Sequence, residues 1–196
     1  SFVSVDLGSI TETLFESELF GHKKGSFTDA KEDRAGRFEL ANQGSLFLDE
    51  IGNLSMPLQA KLLTAIQNKR VSRVGSNKDT IIDLRLICAT NMPLYEMVKE
   101  NRFRQDLMYS INTIEIEIPP LRERIEDIPL LAQHFLKHYA ARYGKSVNKI
   151  SDAAMTRMSK HPWPGNIREL QHALERAVIL SNGTVLQPED FNFNSP

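Results

Sequence analysis

The sequence of 196 residues predicts an α/β fold, in which a parallel sheet with crossover helices is followed by a small all-helical subdomain. Two observations predict the sheet: short apolar runs alternate with helical patterns, and two of those runs end abruptly in polar residues, as buried parallel strands do. A third predicts the helical subdomain, because strand patterns nearly vanish after Arg124. We therefore assign the α/β core to residues 1–125 and the helical subdomain, with the start of a linker, to residues 126–196.

Each predicted element of the core follows from its own pattern. Apolar residues recur at helical spacing behind Thr11, a residue type that favours the N-cap position. Ser55 and Pro57 mark a second helix start. In chain order, the predicted elements are a strand at 2–5, a helix at 11–20, a long polar loop at 21–34, a buried strand at 45–48, a helix from Ser55, and strands at 81–89 and 114–118.

Three helices make up the predicted helical subdomain. They lie at 128–143, from Ser151 to just before Pro162, and at 166–180, where Asn166 is the expected cap. A brief strand pattern at 184–186 is the exception to this helical character.

Composition excludes several classes of protein. The apolar fraction of 41% is normal for a folded chain, and the formal charge of −1 argues against a surface built mainly to neutralise nucleic acid. No apolar run approaches the length of about 20 residues that crosses a bilayer. The single cysteine, Cys88, excludes an internal disulfide and lies in a strand pattern, where we expect a core thiol in a reducing cytosol.

Polar side chains follow two of the predicted strands. Asp49 and Glu50 come after the strand at 45–48, and Asn91 follows the strand at 81–89. The carboxyl edge of a parallel sheet is where α/β proteins bind ligands, and neighbouring strand residues point to opposite faces. One acid would therefore hold a magnesium ion through water, the other would activate an attacking water, and Asn91 would hydrogen-bond a phosphate. The alternatives are solvated acids at a strand end and a turn asparagine.

The loop at 21–34 carries a lone aromatic, Phe27, within the run GHKKGSFTDA at 21–30. An aromatic at the tip of a glycine-rich, charged loop indicates a binding surface, unless Phe27 packs back onto its own domain.

Arginines in two later runs have the chemistry of phosphate binding. Arg102 and Arg104 lie in NRFRQDL, and their guanidinium groups would suit phosphoryl transfer, although helix-surface cations are the alternative. Arg168 lies in the first turn of a helix, where a cation opposes the helix dipole, and this conflict indicates an anionic partner.

Taken together, these runs resemble the AAA+ domain of bacterial sigma-54-dependent transcription activators. The run LFLDEIG after Gly44 resembles a Walker B motif, GSFTDA behind ELFGH is similar to the family's GAFTGA loop, ATN at 89–91 is similar to sensor I, and WPGNIREL at 163–170 is similar to sensor II. The resemblance runs from Phe2 to about Phe191 and implies a P-loop NTPase type core followed by a helical lid.

The resemblance also implies a function. It implies a ring-forming ATPase, usually a hexamer, that binds ATP and Mg²⁺ between subunits and remodels promoter-bound sigma-54 polymerase in the cytoplasm. DNA binding through a helix-turn-helix and two-component control are implied for a longer parent protein only.

The resemblance assigns roles to individual residues. Asp49 would hold magnesium, Glu50 would activate water, Asn91 would sense the phosphate, and Arg104 would act as an arginine finger in a neighbouring subunit. The expected nucleotide contacts are Arg168, Arg122, Ala41 and Gly44, and the expected contacts to the sigma factor are Gly25, Phe27 and Thr28.

Four positions depart from the family pattern. Ser26 and Asp29 alter the loop motif, and Ser110 stands where the family has a second arginine finger, which Arg102 could replace. Asp6 stands where the family has an asparagine that holds the catalytic glutamate, so we expect two carboxylates to face each other there. These departures leave open a nucleotide-binding regulatory scaffold with degraded catalysis; another AAA+ remodeller is the second alternative, against which the long loop argues.

The printed sequence contains no Gly-x-x-x-x-Gly-Lys-Ser/Thr run, the loop that cradles the phosphates in this class of ATPase. We expect truncation of a longer parent to account for this. We therefore predict that the chain of 196 residues alone hydrolyses ATP slowly, because the phosphates lack their cradle. Phosphate release measured on the purified chain tests this, and robust turnover would contradict it.

Overall fold

The computed structural model describes residues 1–193, and the chain forms two compact units, Ser1–Glu115 and Ile116–Pro196. This boundary falls earlier than the position after residue 125 that the sequence suggested. The reason is that Leu121 already belongs to the second unit, where it is buried and donates its N–H to Asn166 Oδ1 at 2.9 Å. The last three residues of the expected linker start, 194–196, lie outside the described residues.

The first unit is built from strands that alternate with helices. A three-stranded parallel sheet lies at its centre, and two small antiparallel pairs flank it. The elements are, in chain order, β1 (Phe2–Asp6), α1 (Glu12–Phe20), β2 (Gly21–His22), β3 (Arg34–Ala35), α2 (Arg37–Leu40), β4 (Ser45–Asp49), α3 (Met56–Asn68), β5 (Arg70–Ser72), β6 (Asp79–Ile81), β7 (Arg85–Cys88), α4 (Leu94–Lys99) and α5 (Gln105–Ile111).

The parallel sheet has the order β1-β4-β7, which confirms the predicted fold class. Asp6 of β1 lies opposite Asp49 of β4, and Leu48 of β4 lies opposite Cys88 of β7. Leu46 and Leu48 alternate along β4 and are both fully buried, as the central strand requires. The apolar faces of α1, α3 and α5 pack with this strand into one core.

The structure corrects two strand predictions. The predicted strand at 81–89 is confined to β7, because Ile81 is the last residue of β6, which pairs with β5. The predicted strand at 114–118 has no regular structure, and its three isoleucines (114, 116 and 118) are 77–81% exposed. A strand needs a neighbour to pair its backbone groups, and this segment has none among the described residues.

Sequence periodicity overlooked three short helices, α2, α4 and α5. Each has four to seven residues, which is too short for a helical repeat to show. The predicted starts of the longer helices are correct in position: Thr11 and Ser55 are the N-cap residues of α1 and α3. Ser55 caps without a side-chain bond to its own helix, because its hydroxyl donates to Glu12 Oε1 at 2.5 Å.

The second unit is helical apart from one short parallel pair of strands. Its elements are α6 (Ile128–Tyr143), β8 (Lys149–Ile150), α7 (Asp152–Lys160), α8 (Asn166–Leu180) and β9 (Val185–Leu186). Trp163 is fully buried at the centre of its core and donates its indole N–H to Met158 O at 2.8 Å. Within residues 1–193, no helix is both long enough and apolar enough to cross a membrane.

One predicted cap in the second unit is corrected. Gly165, not Asn166, occupies the N-cap position of α8. The Asn166 side chain instead accepts the N–H of Leu121, and Glu169 Oε2 accepts the N–H of Gly165 at 2.8 Å. The asparagine therefore ties the 3₁₀ turn at Leu121–Glu123 to the helix start.

The packing of α3 yields a stability prediction. Leu62 is fully buried in the core of the first unit, whereas Leu14 on α1 is 50% exposed. We expect Leu62→Ala to lower the free energy of unfolding by about 2–5 kcal/mol, because it removes buried methylenes and leaves a cavity. Leu14→Ala, the same change on another helix, should lower it by about 1 kcal/mol or less. Urea denaturation followed by circular dichroism measures both, and equal losses would contradict the assigned core.

Candidate functional site

The carboxyl ends of β4 and β7 form one edge of the parallel sheet. Ile51 donates its N–H to Ala89 O at 3.1 Å, so the backbone just beyond both strands stays paired. Asp49 and Glu50 lie at this edge at the end of β4, and Asn91 follows the end of β7 with its side chain exposed. The structure therefore brings these three predicted residues to the same edge of the first unit.

Glu50 leaves strand geometry immediately. Its backbone is left-handed, with φ of 57° and ψ of 40°, and a 3₁₀ turn at Ile51–Asn53 follows. Asn53 donates its backbone N–H to Glu50 O at 3.0 Å and its side-chain Nδ2 to Glu50 Oε2 at 2.7 Å. Glu50 therefore lies outside regular strand geometry, so the alternation expected along a strand does not extend to it.

The carboxylates of Asp6 and Glu50 both lie beside Gly8. Asp6 Oδ1 accepts the N–H of Gly8 at 2.9 Å, so the carboxylate turns back onto the loop that follows β1. Among the described residues, no hydrogen bond joins Asp6 to Glu50, and the donor to the Glu50 carboxylate is Asn53. The expected repulsion between the two carboxylates stays a prediction.

Asp49 offers one carboxylate at the edge of the sheet for a metal-bound water. Its Oδ1 accepts the N–H of Glu50 at 3.0 Å, which fixes the carboxylate. A carboxylate has about four lone-pair positions, so capacity for a metal-bound water remains. Within residues 1–193, no group of three or more His, Cys, Asp or Glu side chains is arranged to hold a metal ion. Magnesium commonly uses one or two carboxylates, water and substrate phosphates, so Asp49 fits as its protein contact.

Two predicted nucleotide contacts lie away from this edge. Ala41 is fully buried in the core, and a Cβ placed on Gly44 would collide with the backbone of Ser1. Both residues precede β4, at the amino end of the strand, whereas Asp49 lies at its carboxyl end. In this structure they serve the packing of the first unit.

The loop with the Phe27 motif is closed at its base by backbone pairing. β2 and β3 pair antiparallel, so the chain leaves and returns at adjacent points. The hairpin of β5 and β6 lies against this base, because Lys23 donates its N–H to Val74 O at 2.9 Å and Val74 donates its own to Gly21 O at 2.9 Å. The 21–34 segment, which was predicted as a loop only, therefore has a structured base.

Two acid–base pairs reinforce the base of the loop. Lys23 Nζ contacts Asp33 Oδ2 at 2.5 Å, and this hydrogen bond lowers the pKa of Asp33. Arg73 donates from Nε and from a terminal nitrogen to the two oxygens of Glu39, each at 2.7 Å. The hydrogen bonding from Arg73 lowers the pKa of Glu39 below its ordinary value of 4.5. A bidentate pair of this kind fixes the hairpin to α2 with a defined orientation.

The tip of the loop presents the predicted partner-binding residues. Gly25 has φ of 80°, and its N–H donates to Ala30 O at 2.8 Å, which closes a tight turn. Phe27 is 39% exposed, and Thr28 is exposed beside it. The Phe27 ring also packs edge-on against the imidazole of His22, with centroids 5.0 Å apart. Phe27 therefore packs partly onto its own domain, and its role in binding stays a prediction.

Polar side chains are buried beneath the tip of the loop. His22 Nδ1 is 2.7 Å from the hydroxyl of Ser17, and both residues are buried. Ser26 Oγ is buried and lacks a hydrogen-bond partner within the described part of the chain. A Cβ placed on Gly75, which has φ of 78°, would lie 2.7 Å from Ser26 Cβ. The hairpin glycine therefore allows the close approach of the loop.

The predicted arginine finger is paired with an acid of its own helix. Arg104 is the N-cap residue of α5, and its guanidinium donates to both carboxylate oxygens of Asp106, at 2.9 and 2.6 Å. This hydrogen bonding lowers the pKa of Asp106. Arg102 pairs with Glu100 through a single oxygen, since Nε lies 2.7 Å and a terminal nitrogen 2.6 Å from Glu100 Oε2. The hydroxyl of Ser110 donates to Asp106 O at 2.8 Å, within α5.

The remaining predicted residues lie in the second unit and are described with it. An open cleft of about 520 Å³ is lined by residues 118–121 and 164–168 together with Arg124. Arg168 lies on its wall, as an anion-binding role requires. Arg122 does not line the cleft; it is exposed and lies 3.7 Å from Glu123. Arg124, which the sequence analysis did not select, lines the cleft and pairs with Asp127 at 2.7 Å.

Several residues of the site carried no sequence signal of their role. Glu39 and Arg73 are separated by 34 residues, and no pattern links them. Asn53 was not selected either, because an asparagine in a turn is common. The one indication was its spacing: in a 3₁₀ turn, a residue three positions after Glu50 lies close to it.

Comparison with known proteins adds two family matches. Residues 1–117 match the sigma-54 interaction domain, and residues 122–195 match an AAA+ ATPase lid domain. Among curated relatives, the transcriptional regulatory protein ZraR of Salmonella typhimurium is 50% identical over 188 residues, which is 96% of this chain and 43% of ZraR. The response regulator protein PilR of Pseudomonas aeruginosa is 49% identical over 189 residues, 96% of this chain and 42% of PilR.

A solved structure has the same fold. NtrX from Brucella abortus, crystallised in complex with ADP, superposes with a TM-score of 0.89 at 32% identity, covering 98% of this chain and 44% of NtrX. A second NtrX structure, in complex with ATP, gives a TM-score of 0.87. The chain therefore spans less than half the length of the relatives that it matches.

The pair formed by Arg73 and Glu39 yields a titration prediction. Because the folded pKa of Glu39 is depressed, the pair stabilises the fold above the unfolded pKa and loses this contribution as pH falls through the folded value, below 4.5. We expect Arg73→Gln to raise the pKa of Glu39 toward 4.5 and to speed amide hydrogen exchange at 21–35. Carboxyl NMR titration measures the pKa, with Arg70→Gln, an exposed arginine of the same hairpin, as the matched control. An unchanged pKa in Arg73→Gln would contradict the pairing.

Proposed function

This chain belongs to the family of sigma-54-dependent transcriptional activators with an AAA+ domain, and we propose that it is the motor part of such an activator. It binds Mg-ATP at the interfaces of a ring, hydrolyses it, and uses the Phe27 loop to remodel sigma-54 RNA polymerase for open-complex formation. The activity belongs to the longer protein, since the chain covers 43% of ZraR.

The observation that carries this proposal is the acidic edge of the sheet. Asp49 accepts the N–H of Glu50, and the Glu50 carboxylate has a separate partner, the side chain of Asn53. This supports magnesium binding by Asp49 through water and water activation by Glu50, with Asn91 beside them to contact the γ-phosphate. The NtrX structures with ADP and ATP support the choice of adenine nucleotides.

The loop supports the choice of partner. Its base is fixed by backbone pairing and by acid–base pairs, while Phe27 and Thr28 remain exposed at the tip. An exposed aromatic side chain on a fixed base is suited to bind a partner protein and to transmit movements of the ATPase domain to it. We propose that Gly25, Phe27 and Thr28 contact the sigma-54 factor in the cytoplasm, and that DNA is bound by a separate part of the longer protein.

The arginines support hydrolysis between subunits. Arg104 lies on the surface of the first unit, so in a ring it would leave Asp106 and enter the nucleotide site of a neighbour. Arg168 and the residues of its cleft, together with Arg122, would contact the nucleotide from the lid. Ser110 cannot contribute a second positive charge. If the longer protein does not hydrolyse ATP, this missing charge would favour the alternative function, a nucleotide-binding regulatory scaffold.

We predict that the longer protein hydrolyses ATP at a specific rate that rises with its concentration. Glu50→Gln should lower this rate about 100-fold or more, because the general base is lost while binding groups remain. Phe27→Ala should keep hydrolysis and lose binding to the sigma-54 factor. Leu130→Ala, which removes another exposed apolar side chain, serves as the control and should change neither.

Mixing two inactive variants tests the position of Arg104. An equimolar mixture of Arg104→Ala and Glu50→Gln should recover activity, since about a quarter of the interfaces in such a ring combine an intact Glu50 with an intact Arg104. No recovery would contradict action between subunits. ATP binding without turnover in the unmodified longer protein would instead favour the regulatory scaffold.

A further inference from the structure

The imidazole of His22 lies against the tip of the Phe27 loop, and no sequence pattern assigned it a role. The Phe27 ring packs edge-on against it, with centroids 5.0 Å apart and an angle of 67° between the ring planes. Aromatic rings prefer this arrangement, because the positive edge of one ring meets the negative face of the other. His22 is buried, whereas Phe27 is 39% exposed. The imidazole therefore supports one side of Phe27 and leaves the rest of the ring open to solvent.

The backbone of His22 is paired on both sides. It lies in β2, where it pairs with Arg34 of β3, and a further bridge joins it to Val74. The bonds from Lys23 N–H to Val74 O and from Val74 N–H to Gly21 O are each 2.9 Å long. Buried backbone groups need such partners, so His22 cannot shift without breaking the pairing at the base of the loop.

The side chain of His22 is fixed by Ser17 of α1. The Ser17 hydroxyl lies 2.7 Å from His22 Nδ1, and both residues are buried. Either atom can be the donor, according to the tautomer of the imidazole. A buried bond of this kind is costly to break, because no water is at hand to replace the lost partner. The bond therefore fixes the orientation of the ring on which Phe27 packs.

The backbone of the tip is fixed separately from the Phe27 side chain. Gly25 donates its N–H to Ala30 O at 2.8 Å, and Ala30 donates its own to Phe27 O at 3.0 Å. These bonds determine where the backbone of Phe27 lies, but they do not restrict the rotation of its ring. The contact with His22 supplies that second restraint. A side chain that is already restrained loses less conformational entropy when a partner binds it.

We propose that His22, oriented by Ser17, is a positioning residue that sets the orientation in which the Phe27 ring binds the sigma-54 factor. Both members of the pair are buried, so they act through Phe27 and not by contact with the partner. The chemistry of an exposed aromatic ring requires an apolar pocket on the partner. The inference rests on the proposed contact between the Phe27 loop and the sigma-54 factor, and it identifies the residues that prepare this contact.

The test measures the Kd of the longer protein for a fluorescently labelled sigma-54 factor by anisotropy. His22→Asn removes the ring but keeps polar atoms that can bond to Ser17, whereas Ser17→Ala keeps the ring and removes its hydrogen-bond partner. Each should raise the Kd about two- to tenfold, the range expected when one more side chain must be ordered on binding.

Two controls separate positioning from general destabilisation. Phe27→Leu keeps an apolar side chain but removes the ring, so adding His22→Asn to it should raise the Kd no further. Ser181→Ala is matched to Ser17→Ala, because it removes another buried hydroxyl, which donates to Val178 O at 2.8 Å in the second unit. It should leave the Kd unchanged. Urea midpoints show whether each variant is folded, and the two variants of the pair test the same contact from opposite sides.

Three results would overturn the positioning role. An unchanged Kd in folded His22→Asn and Ser17→Ala would show that the pair does not prepare the contact. A lower Kd would show that it opposes binding. An equal loss of affinity from His22→Asn in the Phe27→Leu protein would show that His22 acts through the fold and not through the ring. If Phe27→Ala itself leaves the Kd unchanged, the proposed contact with the sigma-54 factor fails, which is a separate outcome.

Discussion

The parallel pairing of β4 with both of its neighbours is the constraint on which the rest of the first unit depends. The register sets Asp6 opposite Asp49 and Leu48 opposite Cys88, and it buries Leu46 and Leu48 completely. A slip of one residue would turn those leucines toward the other face, so core burial fixes the register. The burial of the core leucines therefore also determines where Asp49 lies at the carboxyl edge of the sheet.

The Phe27 loop depends on a different kind of restraint. Exposed ion pairs contribute little free energy one by one, so Lys23 with Asp33 orients the loop more than it stabilises the fold. Backbone pairing of β2 with β3 and the bidentate contact between Arg73 and Glu39 fix its base. The tip has separate restraints of its own, the bond from Gly25 N–H to Ala30 O and the packing of Phe27 on His22.

The sequence was sufficient for the features that depend on local pattern, and insufficient for those that depend on distant neighbours. Apolar runs that end in Asp49 and Asn91 predicted the parallel strands and their common edge. The run at 114–118 alternates like a strand, but alternation cannot show whether a neighbour is available to pair with it. Asp6 was placed by resemblance, and its bond to Gly8 depends on a turn whose geometry no residue pattern specified.

Glu50 and Arg104 share a property that bears on how such a motor is controlled. Each is bonded to a side chain a few residues away in the sequence, Glu50 to Asn53 and Arg104 to Asp106. Exchanging one hydrogen-bond partner for another of similar strength costs little net free energy, so both groups can leave their local partners when nucleotide or a neighbouring subunit offers new ones. In the isolated chain, the Glu50 carboxylate and the Arg104 guanidinium are therefore both bonded to these local partners. Under the proposed function, ring assembly would offer Arg104 a new partner in a neighbouring subunit without any large rearrangement of the sheet.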